Sequence, residues 1–276
     1  MRPKRGNKKR LSPGGISELE PSYFELQAYW GFTKHMGGLK ATEELIELCH
    51  IDEGKYVLEV GCGVGITACY IAKRVGSRVV GVDISERMID RSNERAKREG
   101  VEDRVEFRVA DAQDLPFKDD LFDAVIGEFI TAFPEDKQRA ISEYVRVTKP
   151  GGYVGLNEIT WMKVPPPTEL AGYLFRTTGA KPETSDAWKE LLEGSGLRDI
   201  VVRTYKVNNV LNEWINEIRR VDFRDYSRAW SRFLSLLIGS PTFRRVIKEK
   251  YLDGLSPRIL PQFLEYFGYG IYVGRK

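Results

Sequence analysis

Between Tyr56 and Thr160, short apolar runs alternate with longer amphipathic stretches. Tyr56–Val60 reads as a buried strand, followed by a glycine-rich loop and a helix over about 66–75. Arg78–Val82 is a second strand, with Asp83 at its tip, and Ser85 is a natural N-cap for a helix that Gly100 stops. Val105–Val109 alternates as a third strand, while Phe122–Phe129 is apolar enough to be buried on both faces. Pro134 opens a helix running to about Thr148, Lys149-Pro150-Gly151-Gly152 makes a turn, and Tyr153–Ile159 is a fifth strand. Strands alternating with helices at this spacing predict βαβ units and an α/β fold with a doubly wound parallel sheet.

Beyond Thr160 the pattern loosens. Val164-Pro165-Pro166-Pro167 is a stiff connector, unsuited to a helix or a central strand. Asp186–Glu193 reads as a helix stopped by Gly194, and Asp199–Val207 as a sixth strand. Residues 208–263 are helix-like, with Trp214, Phe223, Tyr226, Trp230 and Phe233 set among charged residues, and Tyr266–Val273 is a final strand. The expected organisation is therefore a basic tail (1–14), a nucleotide-binding-type domain with leading lid helices (15–207), a helical insertion capping the substrate side (208–263) and a closing strand (264–276).

Composition narrows the class. A chain of 276 residues that is 42% hydrophobic can bury one substantial core and an added lobe. It has no apolar run approaching the ~20 residues of a membrane-spanning helix and no secretory leader pattern, and its three cysteines are too few for a disulfide framework. A cytoplasmic protein with reduced thiols is expected. The net charge of +3 is uneven: Arg2, Lys4, Arg5, Lys8, Lys9 and Arg10 crowd the first ten residues, and without them the chain is slightly acidic. The body is thus no DNA-binding surface, and RNA or anionic membrane contact is left to the tail, whose plainer reading is a solvated, disordered extension.

The chemistry concentrates at the ends of successive strands. In Glu59-Val60-Gly61-Cys62-Gly63-Val64-Gly65 the glycines let backbone approach a ligand where any Cβ would collide. Such a loop at the carboxyl end of a first strand is where open α/β sheets bind cofactors. A dinucleotide site wants a small residue three positions beyond Gly63, which is Ile66, so G-x-G-x-G preceded by Glu59 favours a cofactor without a pyrophosphate and with a cationic end. Asp83, about twenty residues on, can accept both ribose hydroxyl protons, and Asp111 after the third strand can accept from an adenine amino group.

These motifs, with Arg146-Val147-Thr148-Lys149-Pro150-Gly151-Gly152 and the closing strands, resemble the class I S-adenosylmethionine (SAM)-dependent methyltransferases over about Tyr56–Thr160. The resemblance implies a Rossmann-like, seven-stranded sheet with its last strand antiparallel, and SAM as cofactor with S-adenosylhomocysteine as product. It places Gly61, Cys62, Gly63 and Gly65 at the methionine moiety, Glu59 near its amino group and Asp83 on the ribose. Ile84, Met88 and Ala112 would flank the adenine, Asp111 would bind its N6, and Glu128 would lie beside the sulfonium. Within the family, Tyr29-Trp30-Gly31 and His35-Met36-Gly37-Gly38 are similar to the lid segment of the ubiquinone/menaquinone-type, tocopherol, sterol and small-amine enzymes.

Methyl transfer from a sulfonium is an in-line displacement that needs alignment and exclusion of water, and a base only where the nucleophile carries a proton. His35 could be that base or a structural residue fixing the lid, and Glu128 could polarise an amine or phenol or stand as a strand-end carboxylate. Tyr29, Trp30 and Trp161 are expected on the acceptor side, and no metal is expected. The acceptor is read as a small or medium-sized molecule, with apolar and aromatic acceptors among the candidates, and a homodimer is a candidate assembly. Competing readings are an RNA methyltransferase using the tail, a catalytically silent SAM-binding partner subunit and, more distantly, a Rossmann dehydrogenase.

Overall fold

The computed structural model describes residues 23–31, 33, 35–207, 223–253 and 256–276; the expectations for the basic tail and for residues 208–222 lie outside them. Two helices, α1 (Tyr23–Trp30) and α2 (Gly38–Leu48), precede a mixed sheet. The βα units follow in order: β1 (Tyr56–Val60), α3 (Ile66–Tyr70, continued by a π-turn over Ile71–Val75), β2 (Arg78–Asp83), α4 (Glu86–Glu99), β3 (Val105–Val109), β4 (Phe122–Glu128), α5 (Lys137–Val147) and β5 (Thr148–Trp161). Then come α6 (Thr168–Thr178), the short β6 (Glu183–Thr184), α7 (Ser185–Gly194) and β7 (Arg198–Lys206). Helices α8 (Phe223–Gly239), α9 (Pro241–Ile247, with a π-turn over Lys248–Leu252) and α10 (Ile259–Tyr266) lead into β8 (Phe267–Arg275).

The strand order is β3-β2-β1-β4-β5-β8-β7, with β6 pairing beside β5. β1 to β5 pair in parallel, and β8 runs antiparallel to both β5 and β7. This is the expected doubly wound sheet with a reversed last strand. Alternation along the strands feeds two cores: Leu58, Val60, Val80, Val82 and Leu156 pack on one face with α5 and α7, and Val57, Val79, Ala124 and Ile126 on the other with α2 and α3. Trp188 and Tyr144 fill the first face, and the Trp188 indole Nε1–H is satisfied by the Ile159 carbonyl at 3.0 Å. Each fully buried Leu, Ile or Val contributes roughly 1.5–3 kcal/mol.

Local signals explain the helix limits. Ser85 accepts from the Met88 N–H and Gly100 closes α4 in the left-handed region at φ 68°. The helix expected from Pro134 begins instead at Lys137, because Asp136 is the cap and accepts from the Arg139 N–H. The Lys149–Gly152 turn is a bulge inside β5: Phe122 pairs with Thr148 but Ala124 with Tyr153. Helix α6 was not anticipated; it starts directly after Pro167 and ends at Gly179, φ 82°. Between β7 and β8, α8 packs on α1 and α9, and α10 on α6 and β8. No helix of the described residues is long and apolar enough to cross a membrane.

Candidate active site

At the end of β1 the chain folds back onto β2, with the Gly61 and Cys62 N–H groups both donating to the Val82 carbonyl (2.7 and 2.9 Å). Gly61, Gly63 and Gly65 all have left-handed φ (72°, 53° and 73°). A Cβ at Gly61 would lie 2.5 Å from Ile130, one at Gly63 2.7 Å from Thr33, and one at Gly65 3.0 Å from Ser92. Two side chains of α4 fix the loop's carbonyls: Ser92 Oγ donates to Gly63 (2.8 Å) and Arg95 Nε to Val64 (2.9 Å).

Asp83 faces this loop from the tip of β2. Its Oδ2 accepts from the Gly63 N–H at 3.0 Å and its Oδ1 from the Ser85 N–H at 2.9 Å. Burial pushes its carboxyl up to about 6, opposed by those backbone donors. Both oxygens keep lone pairs for further donors.

Glu128, at the end of β4, is buried and held from three sides. Thr42 Oγ1 donates to Oε1 (2.9 Å), Thr67 Oγ1 donates to Oε2 (2.7 Å), and His35 Nε2 lies 3.3 Å from Oε1. The other ring nitrogen of His35 sits 3.2 Å from Asn157 Nδ2, whose amide also donates to the Met36 carbonyl at 3.1 Å. His35 Nδ1 also lies 3.1 Å from the Met36 carbonyl, so both ring nitrogens have polar partners. The lid segment, α2, α3, β4 and β5 thus meet at one carboxylate.

The loop after β4 completes the wall. Phe129 adopts φ 60°, and Glu158 on β5 accepts from the Ile130 and Thr131 N–H groups through Oε1. One cleft joins these parts: Asp83 and Met88 at one end, the glycine loop with Glu59 between, and Glu128 with His35 at the other.

Comparisons with known proteins bear on the family and the fold. Residues 57–152 match a family model described as a methyltransferase domain. Methyltransferase GfsG of Streptomyces halstedii is 33% identical over 163 residues, which are 58% of this chain and 59% of the relative. Phosphoethanolamine N-methyltransferase 1 of Zea mays is 28% identical over 207 residues, 70% of this chain and 41% of the relative. The chain therefore spans about half the length of these curated relatives. Among solved structures, a SAM-dependent methyltransferase from Geobacter sulfurreducens in complex with S-adenosylhomocysteine shares the fold over 93% of this chain and 98% of its own, with a TM-score of 0.69 at 19% identity.

The chain carries a class I SAM-dependent methyltransferase domain.

Of the residues expected to serve the methyltransferase domain, His35, Glu59, Gly61, Cys62, Gly63, Asp83, Met88 and Glu128 line the cleft. The Cys62 thiol is pushed well up by burial, and further by Glu59 and Asp83, so it is an inert wall. Gly65 stands behind the wall and starts α3. Ile84, Asp111 and Ala112 lie outside the lining. They occupy the neighbouring sheet edge, where Ala110 N–H donates to the Asp83 carbonyl at 3.1 Å and Ile84 is 64% exposed.

The three aromatic residues expected on the acceptor side are placed elsewhere. The Tyr29 ring stacks under the Arg87 guanidinium of α4 at 4.1 Å. Trp30 packs against Trp230 and Phe233 of α8, at 5.6 and 5.0 Å between centroids. Trp161 packs edge-on against Phe267 in the core. Residues not anticipated take their place: Phe24, Gln27, Ile66 and Phe129 line the cleft, and Thr42, Thr67 and Asn157 hold its charged end. Thr42, Thr67 and Asn157 carry no local motif. Glu158, an acid inside the apolar run Val154–Trp161, did carry a signal. Among the described residues no group of three or more His, Cys, Asp or Glu could hold a metal ion.

Proposed function

We propose that the protein transfers the methyl group of SAM to a small-molecule acceptor whose nucleophile arrives without a proton to surrender. The observation that carries this reading is the single cleft running from Asp83 past the glycine loop to the Glu128–His35 pair. In it Asp83 would take the ribose hydroxyls and Met88 one side of the adenine, while Ile84, Ala112 and Asp111, outside the lining at the neighbouring sheet edge, would complete the adenine site. Gly61, Gly63 and Gly65 would hold the methionine portion, with Glu59 toward its amino group. The lining fits such a ligand, because Glu59, Asp83 and Glu128 bring three carboxyl groups to one cleft, where a cationic sulfur, an amino group and two ribose hydroxyls would meet them.

When bound, SAM supplies an electrophilic methyl on a cationic sulfur. The chain's own contribution is alignment and shielding. Phe24, Ile66, Phe129 and Ile130 give apolar walls that keep water away. Glu128 presents a buried negative charge toward the cationic end. His35 has partners at both ring nitrogens, which supports a positioning role: it ties the lid to β4 and β5 and leaves no nitrogen free for an acceptor proton. An unprotonated amine, an enolate-type carbon or a phenolate suits such a site. The maize relative, named for phosphoethanolamine, keeps a small amine within that range.

Calorimetric titration with SAM and S-adenosylhomocysteine, beside NAD, tests the cofactor assignment; binding of both adenosyl ligands and not NAD is expected. Incubating the protein with methyl-labelled SAM and cell extract tests the acceptor class. Label in the small-molecule fraction is expected, whereas label confined to RNA or protein, or no transfer despite SAM binding, overturns the proposal.

A further inference from the structure

Beside the cleft, a second depression lies between α4 and α8 against Gly31 and Val64. Five arginines line it, and two carboxylates, Glu94 and Asp225, share the lining. Asp225 is already crowded: Arg95 Nη1 and Arg98 Nη2 each lie 2.8 Å from its Oδ2, and Arg228 Nη1 lies 3.3 Å from its Oδ1. Glu94 reaches Arg91 only at 3.5 Å and from an exposed position, and Glu99 reaches Arg95 at 2.9 Å. Counting all three acids, the depression keeps two positive charges in excess among the described residues.

Arg232 carries that excess most acutely. Its guanidinium is pushed down by burial, and by Arg91, Arg228 and Arg98, with Glu94 alone opposing. Gly31 is what admits it: a Cβ there would lie 2.4 Å from Arg232 Nη1 and 3.6 Å from Arg91 Nε. Like charges gathered in a half-buried concavity, with a glycine opening the space, require a counter-charge.

We propose that this depression binds a phosphate group, free or as a terminal ester on a small molecule. A phosphate dianion matches the excess charge, and planar guanidinium forks arriving from α4 and α8 suit its oxygens. The bound group would join α8 to the glycine loop through Arg95, which holds the Val64 carbonyl. The site is separate from the cofactor cleft, so the inference does not depend on the acceptor or on SAM binding.

The test is calorimetric titration with inorganic phosphate and with glycerol 3-phosphate, at ionic strength held constant with sodium chloride. Wild type is compared with the Arg228→Gln/Arg232→Gln variant. Saturable binding is expected in wild type and at least about tenfold weaker binding in the variant, from loss of two charge-assisted contacts. Tighter binding of glycerol 3-phosphate identifies an ester as the ligand, and tighter binding of phosphate identifies the free ion. No saturable heat, or equal affinity in the variant, overturns the site. If the double variant does not fold, Arg228→Gln alone serves, since its side chain is half exposed. Undiminished affinity there also overturns the proposal.

Discussion

Replacing Glu158 with glutamine should make the protein more stable above neutral pH, although it removes the acceptor charge that anchors a site loop. Both backbone bonds to the loop end on one atom: Oε1 accepts from Ile130 at 2.9 Å and from Thr131 at 2.5 Å. Oε2 is buried and has no hydrogen-bond partner among the described residues. A glutamine amide can keep its oxygen on the two N–H groups and put nitrogen in place of Oε2. Burial raises the Glu158 carboxyl from an ordinary 4.5 to about 7, against the lowering effect of the backbone donors of Thr131 and Ile130. At about 1.4 kcal/mol for each tenfold change in proton affinity, the ionised form costs the fold about 3 kcal/mol.

The sign follows from linkage. Between about 4.5 and 7 the folded state holds a proton that the unfolded state has released, so stability falls as pH rises through that window and levels off above it. Asp83 contributes a slope of the same sign between about 3.8 and 6 and is present in both proteins, so it cancels in the difference. Urea unfolding followed by tryptophan fluorescence at several pH values from 4.5 to 8 measures this difference. Relative to wild type, Glu158→Gln should gain about 3 kcal/mol across the window. Parallel stability curves would refute the reasoning, since they would mean that Glu158 titrates in the fold as it does unfolded. Glu158→Ala is the contrasting case. It leaves both N–H groups unpaired, at ~1–3 kcal/mol each, and should destabilise at every pH.

Two other perturbations test the cofactor end. In wild type, affinity for S-adenosylhomocysteine should fall below pH 6 by about tenfold per pH unit, because ribose hydroxyls need the ionised Asp83 that burial has raised to about 6. Calorimetry should show a flat profile and weaker binding in Asp83→Asn, and an unchanged wild-type profile would contradict the ribose assignment. Gly63→Ala puts a Cβ 2.7 Å from Thr33 at φ 53° and should abolish binding, whereas Gly100→Ala, at φ 68° with open space around it, should cost only about 1 kcal/mol of stability and leave binding intact.

The sheet was legible because its central strands β1 and β4 are buried on both faces and read as apolar runs, while β3 alternates, with Ser85 and Gly100 marking one helix unambiguously. The cofactor wall was legible because Gly61, Gly63 and Asp83 lie within one βαβ unit, where spacing along the chain nearly equals spacing in the fold. The acceptor side was less legible: Tyr29, Trp30 and Trp161 pack against Arg87, α8 and Phe267, partners that no spacing along the chain announces. Helix α6 was hidden by the proline run before it, which signals its start as well as a connector.

The charged end of the cleft was illegible for a different reason. Thr42, Thr67 and Asn157 reach Glu128 and His35 across 86, 61 and 122 positions of chain. No local pattern encodes such a meeting; it exists because β4 is central in the sheet, with α2 and α3 packed on one face and β5 beside it. A carboxylate buried there must be satisfied or the fold would not tolerate it, and the two threonines and the histidine do so. The same bonds hold the segment before α2 against the sheet. Closure of the site and stability of the fold therefore draw on one set of contacts, so replacing Glu128 should weaken both together.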